Sequence, residues 1–251
     1  MYGTGGINLK INVMGVDFDN VSMTEALDAA DELLGSGRKG FCVTPNAEIL
    51  YYALHDPAYQ ALLNEAALVI PDGAGAVLGS KILGSPLKDK VAGCDFADNL
   101  CDRLAKKSWK LFLLGGKPGV AEAAAENLKK KHPGLIICGT HHGYFEDPAQ
   151  VIERINASGA DVVYVCLGAP KQEQFMKNHL EELNARFMIG LGGSLDVYSG
   201  TLRRAPKWVR RCNMEWLYRM FQDPSRVSRT VSRPKFVMEC LKERRRQRKN
   251  G

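Results

Sequence analysis

Short apolar runs recur along the chain, each closed by a glycine or polar turn and followed by an amphipathic stretch. The runs at 40–43, 67–70, 109–114, 134–138, 161–167 and 186–191 have the length of strands. Their near-continuous apolar character is that of strands covered on both faces, as in parallel sheets. Between them, 118–131 has helical periodicity, with Pro118 predicted in the first turn. Ser22, with Glu25 three residues on, has the spacing of a capping box that opens the first helix. Before it, Leu9–Phe18 alternates like a strand or small hairpin. The pattern predicts an α/β fold: a mostly parallel, Rossmann-like sheet sandwiched by helices. There is no internal repeat and no low-complexity linker.

Beyond residue 200 the pattern changes. Trp208, Val209, Cys212, Trp216, Leu217, Met220 and Phe221 recur at helical spacing as one apolar stripe, with Arg210, Arg211 and Arg219 off it. Asp223 and Pro224 are predicted to stop this helix. After Pro234, a second stripe of Phe236, Val237, Cys240 and Leu241 precedes KERRRQRK. We therefore divide the chain into a core at 1–200 and a basic helical appendage at 201–251. The net charge of +6 hides an asymmetry: residues 201–251 hold 16 Lys and Arg against 4 Asp and Glu, while the first 200 carry 18 against 24. An acidic body with a basic tail points to an anionic partner for the tail: lipid headgroups, diphosphates or nucleic acid. The stripes fit packing on the body or on a second copy of the chain. Equally they fit a basic amphipathic segment lying on an anionic membrane.

With 251 residues, 45% of them hydrophobic and 25% charged, the chain is long enough for a full core and reads as globular. No apolar stretch approaches the roughly 20 residues of a membrane span, and the opening MYGTGGINLK predicts no signal peptide. Seven cysteines at 42, 94, 101, 138, 166, 212 and 240 form no CxxC pair. Several fall in apolar runs, as buried thiols in a reducing cytoplasm would. The adjacent His141 and His142 lack the neighbouring carboxylates of a metal site.

Ligands of open α/β sheets sit beyond the carboxyl ends of the strands, so the loops after the apolar runs are where chemistry is expected. After 161–167 come Lys171, Gln172 and Glu173; after 186–191 come Gly192, Gly193, Ser194 and Asp196. These groups suit a polar, phosphate-bearing ligand. Gly115 and Gly116 precede Pro118 in a strand-to-helix turn whose backbone N–H groups suit an anion. That turn is neither GxGxxG nor a P-loop, which disfavours hydride transfer and NTP hydrolysis. Asp72 follows 67–70 and precedes Gly73; spacing alone makes it either the cap of the next helix or an exposed base. Thr44, Asn46 and Glu48 follow 40–43, where TPN reads as a cap with Pro45 at the first helical position. Asp95 either opens helix 93–106 or adds a polar contact. Asp17 and Asp19 formally match a metal-binding DxD, but they lie in the predicted hairpin, away from the loops.

Several blocks carry a resemblance in order along nearly the whole chain: TPNAE at 44–48, PDG at 71–73, VAGCDF at 91–96, LLGGKPG at 113–119, GYF at 143–145, LGAPKQE, GGSLDVYSG and RRAPKW. The chain resembles the WecG/TagA/CpsF glycosyltransferases (glycosyltransferase family 26), and within them the TagA-like branch. The resemblance implies inverting transfer of N-acetylmannosamine from UDP-N-acetylmannosamine to the 4-hydroxyl of undecaprenyl-diphosphate-linked N-acetylglucosamine, in teichoic acid or other wall polysaccharide synthesis. It implies no cofactor and no metal. Asp72 would be the catalytic base, with Thr44 and Asn46 lining the acceptor and sugar pocket and Asp95 beside them. Gly115, Gly116, Gln172, Gly193 and Asp196 would lie on the nucleotide side, Asp196 toward the ribose and Tyr144 flanking the uracil. Arg219, Arg226 and Arg229 match arginines used near the diphosphate, where guanidinium forks replace a metal. Many relatives have arginine where this chain has Lys90, a departure that keeps the charge. Others use UDP-glucose or the uronic acid form of the donor.

The implied place of action is the cytoplasm, at the inner face of the membrane, with 201–251 as the contact. A basic-tailed nucleic-acid-binding protein is the alternative from another class, but no recognised module is visible and no nucleic-acid partner is expected. A Rossmann-type oxidoreductase lacks the glycine fingerprint and its downstream acidic partner. A homo-oligomer remains compatible with the first stripe.

Overall fold

The computed structural model describes residues 9–206, 208–209, 214, 217–218, 220 and 232–250. The chain opens with an antiparallel hairpin, β1 (Lys10–Val13) and β2 (Val16–Asp19), turned at Met14 and Gly15. Both turn residues have positive φ, as a two-residue hairpin of type I′ requires. Helix α1 (Met23–Gly35) starts on the expected capping box: Ser22 N–H donates to Glu25 Oε2 at 2.7 Å, and Glu25 N–H donates to Ser22 Oγ at 3.4 Å.

There follow β3 (Gly40–Val43), α2 (Ala47–Ala53), α3 (Pro57–Asn64), β4 (Leu68–Val69), α4 (Ala74–Leu83), α5 (Gly93–Lys107) and β5 (Lys110–Gly115). Next come α6 (Val120–Lys131), β6 (Ile136–His141), α7 (Pro148–Ser158), β7 (Val162–Cys166), α8 (Lys171–Asn178), β8 (Phe187–Gly190) and α9 (Ser194–Tyr198). Helix α10 (Ser232–Asn250) is the last described element.

The six predicted strands form one all-parallel sheet in the order β4-β3-β8-β7-β5-β6. Side chains alternate across it, because successive Cβ atoms point to opposite faces. Phe41, Val43, Phe112, Leu114, Val163, Val165 and Met188 pack with α2, α3, α7 and α8. Leu111, Leu113, Val162, Tyr164, Phe187 and Ile189 pack with α1, α5 and α6. The fold is thus the expected Rossmann-like sandwich, with the hairpin attached at the β4 edge, where Asp19 Oδ2 accepts from Val69 N–H at 2.8 Å.

Two helix starts differ from expectation. Helix α6 begins at Val120 behind Gly119, whose left-handed φ of 86° ends the helix there, so Pro118 lies in the preceding turn. Helix α2 begins at Ala47, with Asn46 as its cap; Asn46 Oδ1 accepts from Glu48 N–H (2.9 Å) and Ile49 N–H (3.2 Å). Pro45 therefore precedes the helix instead of opening it.

Helix α10 lies on α2 and α4. Phe236 and Cys240 are fully buried against Gly79, where a Cβ would stand 2.9 Å from the Phe236 ring. Arg244 Nη1 donates to the Leu83 carbonyl at 3.1 Å, satisfying an end carbonyl of α4. Of the second predicted stripe, Leu241 is instead exposed. Of the first, Val209 is buried and Trp208 exposed, while Cys212, Trp216 and Phe221 lie outside the described residues. No described helix is long and apolar enough to cross a membrane.

Candidate active site

Because the sheet is parallel, the loops leaving its strands gather along one edge. Reading across that edge from β4 to β6, the chain presents Asp72, then Thr44 and Asn46, then Gly193 and Asp196, then Gln172, then Gly115 and Gly116, and last Tyr144. The residues expected near the acceptor stand at the β4–β3 end. Those expected near the nucleotide stand on β8, β7, β5 and β6.

Asp72 does not cap α4. The cap of α4 is Gly73, at φ 85°, with no side-chain hydrogen bond. Asp72 Oδ1 instead accepts from the N–H of Gly93, the first residue of α5, at 3.2 Å. The carboxylate therefore sits at the positive end of a 15-residue helix, a position that favours negative charge. Its own N–H donates to the Pro45 carbonyl at 3.2 Å, which holds the β4 loop against the β3 loop. Thr44 abuts the same glycine: a Cβ on Gly93 would come within 3.2 Å of Thr44 Oγ1. That hydroxyl donates to the Gly190 carbonyl at 2.9 Å, joining the ends of β3 and β8. Asn46 spends its carbonyl oxygen on the α2 cap, leaving Nδ2 as its donor. Asp95, in the first turn of α5, pairs with Arg204 Nη2 at 2.6 Å. Arg204 is a neighbour that sequence reasoning missed; the only signal was its place in RRAPKW.

At the end of β5, Gly115 is obligatory. Its φ is 136°, and a Cβ there would lie 2.3 Å from the Cys166 carbonyl oxygen of the adjacent strand β7. The Gly116 carbonyl accepts from Gly143 N–H at 2.8 Å, so the loops after β5 and β6 are joined. Tyr144, next along, is 67% exposed, a ring available at the outer rim. Asp196 is half-buried in α9, and the first turn of α6 has no side-chain cap.

Gln172 and Glu173 lie deeper than their loop position predicts. Gln172 is buried; its Oε1 accepts from Gly192 N–H at 2.8 Å and its Nε2 donates to Glu173 Oε1 at 2.7 Å. Glu173, expected in the binding loop, is fully buried. The first turn of α8 points it at the interior toward α3, and burial pushes its carboxyl above the usual range.

A cavity of about 260 Å3 opens beside the β3 end, between α2, α3, the turn after β7 and the start of α10. Glu48, Tyr51, Tyr52, His55, Tyr59 and Pro170 are among its walls. The DxD match is committed elsewhere: Asp17 Oδ1 accepts from Asn12 Nδ2 at 2.6 Å, and Asp19 binds Val69 and faces Lys10. Among the described residues no group of three or more His, Cys, Asp or Glu is arranged to hold a metal ion. The described cysteines are free, and burial raises the Cys101 thiol to about 12, which leaves it inert.

The model of the Glycosyl transferase WecG/TagA/CpsF family matches residues 11–250. The chain belongs to this family. Among its relatives is the N-acetylglucosaminyldiphosphoundecaprenol N-acetyl-beta-D-mannosaminyltransferase of Bacillus spizizenii, 37% identical over 231 residues, which are 92% of this chain and 90% of the relative. The protein of the same name from Staphylococcus aureus (strain MRSA252) is 35% identical over 239 residues, 94% of each chain. In this WecG/TagA/CpsF member, ten of the thirteen site residues expected from sequence line the sheet edge or its adjoining helices. The other three, Arg219, Arg226 and Arg229, lie outside the described residues.

Proposed function

We propose that the protein is an inverting, metal-independent glycosyltransferase. It moves N-acetylmannosamine from UDP-N-acetylmannosamine to the 4-hydroxyl of undecaprenyl-diphosphate-linked N-acetylglucosamine, for a wall polymer such as teichoic acid. The observation that carries this reading is the convergence of Asp72 and Thr44 at the start of α5, with Asn46 next to them at the cap of α2, in a chain that matches relatives named for that reaction over more than nine tenths of its length.

In the proposed mechanism, Asp72 takes the proton of the acceptor hydroxyl as its oxygen attacks the anomeric carbon. The bond from that carbon to the β-phosphate oxygen breaks on the opposite face, giving a β-linked disaccharide and UDP. Asn46 Nδ2 and the Thr44 oxygen orient the sugars. The glycine turns of β5 and β8 face the diphosphate and ribose, with Asp196 on the ribose hydroxyls and Tyr144 against the uracil. Arg219, Arg226 and Arg229 of the 201–251 appendage stabilise the leaving diphosphate. The appendage also holds the enzyme to the inner face of the membrane, where the acceptor resides.

The test is UDP release from UDP-N-acetylmannosamine with a short-chain lipid-diphosphate N-acetylglucosamine acceptor, in EDTA. Turnover should require the acceptor and survive EDTA. The Asp72→Asn protein should turn over about 10²- to 10⁴-fold more slowly, the usual contribution of a general base, while still binding UDP. Undiminished turnover in Asp72→Asn would remove Asp72 as the base. Activity only with UDP-glucose or the uronate donor would move the donor assignment.

A further inference from the structure

Glu173 is the one carboxylate of the sheet edge turned entirely away from solvent. Among the described residues it has no Lys, Arg or His within ion-pairing distance. One oxygen, Oε1, accepts from Gln172 Nε2; the other, Oε2, is buried without a hydrogen-bond partner. The Tyr59 hydroxyl on α3 is likewise buried and stands close enough to perturb the carboxyl. A leucine of similar size would fill this space without burying an unbonded carboxylate oxygen, at the cost of the acceptor that Gln172 Nε2 now uses. Packing alone therefore does not account for a glutamate.

The geometry supplies a use. A glutamine amide has one donor end and one acceptor end, and Gln172 has both engaged. Its Nε2 faces the Glu173 carboxyl, so its Oε1 must face the Gly192 N–H. The flipped amide would set oxygen against oxygen at Glu173 and N–H against N–H at Gly192. Gln172 packs closely over Gly190, where a Cβ would come to 3.0 Å from Nε2. The turn that follows β8 is thus pinned at two points. Ser194 holds it through its N–H (3.2 Å) and Oγ (2.8 Å) to the Leu191 carbonyl. Gln172 holds it at Gly192, in the left-handed region at φ 53°.

We propose that Glu173 is a positioning residue for the nucleotide side of the site, fixing the Gly192–Gly193 turn by setting the orientation of the Gln172 amide. The role assigned to that turn rests on the UDP reading given above; the relay from Glu173 to Gly192 does not. Burial holds the carboxyl above the ordinary range; in either protonation state an oxygen of it can accept from Gln172, and the Gly192 N–H, which only the amide oxygen can satisfy, opposes the flip.

The test uses Glu173→Leu, Glu173→Gln, Gln172→Leu and the Glu173→Leu/Gln172→Leu double variant of the full chain. Two measurements are made: the Gly192 backbone amide resonance with its hydrogen-exchange rate, and UDP affinity by calorimetry. Glu173→Leu should shift the Gly192 amide, speed its exchange and weaken UDP binding about tenfold, the effect of losing one well-placed hydrogen bond. Glu173→Gln keeps an acceptor for Gln172 and should stay within about twofold of wild type. The double variant should be no worse than Gln172→Leu alone, since both act through one amide. Additive losses, or an unmoved Gly192 amide in folded Glu173→Leu, would overturn the proposal. Should the leucine variant not fold, Glu173→Met makes the same removal with a flexible chain. Wild type that binds no UDP would sink the nucleotide reading, while the Gly192 amide would still decide the relay.

Discussion

Thr44 Oγ1 donates to the Gly190 carbonyl while the side chain lies against Gly93, so one residue joins β3, β8 and the start of α5. This structural duty is separable from the positioning role proposed for it. Thr44→Val keeps the shape and removes the donor, leaving a strand-end carbonyl without its partner. Its unfolding free energy in urea should fall by about 1 kcal/mol, and that of Thr44→Ser by less. A valine variant as stable as wild type would show that the bond adds nothing to the fold. Any loss of turnover larger than the unfolded fraction would then belong to the chemistry. At this scale the sequence was legible in type but not in direction. TPN announced a helix start, yet whether Thr44 or Asn46 would cap it depended on the Gly190 carbonyl, 146 residues away, which claims the threonine. PKQE announced a polar turn, yet helical phase sends Glu173 inward while Lys171 stays exposed. For Asp72, spacing favoured a cap of the next helix, which it is not; its carboxylate instead meets the first N–H of α5, a helix whose contact with the β4 loop no local pattern encodes.

Among the elements, α1 shows how far local chemistry goes. Its capping box forms as read, but Glu25 also meets Lys88 Nζ at 2.6 Å, and the lysine hydrogen bond is the main reason its carboxyl falls from 4.5 to about 2. A carboxyl depressed in the folded state stabilises fully above its unfolded value. That stabilisation is lost as pH falls from about 4.5 toward 2. Urea midpoints measured across this window should therefore drop more for wild type than for Glu25→Gln. The difference should shrink with added salt, because the pair is nearly half exposed. Equal pH profiles for the two proteins would mean that Glu25 is unperturbed. The strands were legible because apolar runs bounded by glycine leave few alternatives, and their bounds moved by three residues or fewer. Their order was not. β8, last in sequence, sits between β3 and β7, and periodicity does not say which neighbour a strand will choose. That insertion sets the glycine turn of β8 beside both Thr44 and Gln172, so the strand order assembles the site.

Over the whole molecule, the acidic body and basic tail were legible from composition, while the side on which the tail docks was not. Helix α10 buries Phe236 and Cys240 against α4 and commits Arg244 to the α4 carboxyl end. Arg245, Arg248 and Lys249 stay exposed, and Met238 and Leu241 stay exposed with them. Packing on the body and contact with a surface are therefore compatible, since they use different residues of one helix. If the exposed cations hold the protein to anionic lipid, each contributes on the order of 1 kcal/mol, so reversing three should weaken vesicle binding at least about 100-fold. The variant is Arg245→Glu/Arg248→Glu/Lys249→Glu, and the measurement is co-sedimentation with phosphatidylglycerol vesicles against phosphatidylcholine vesicles at two salt concentrations. Wild type should bind only the anionic vesicles and release with salt. The variant should lose that binding with its thermal unfolding unchanged, because none of the three side chains supports the packed face. Turnover of a short-chain soluble acceptor should also persist, which separates holding the enzyme at the membrane from completing its site. Salt-insensitive binding to both vesicle types would instead point to Met238 and Leu241, and to insertion of an apolar face in place of attraction by charge.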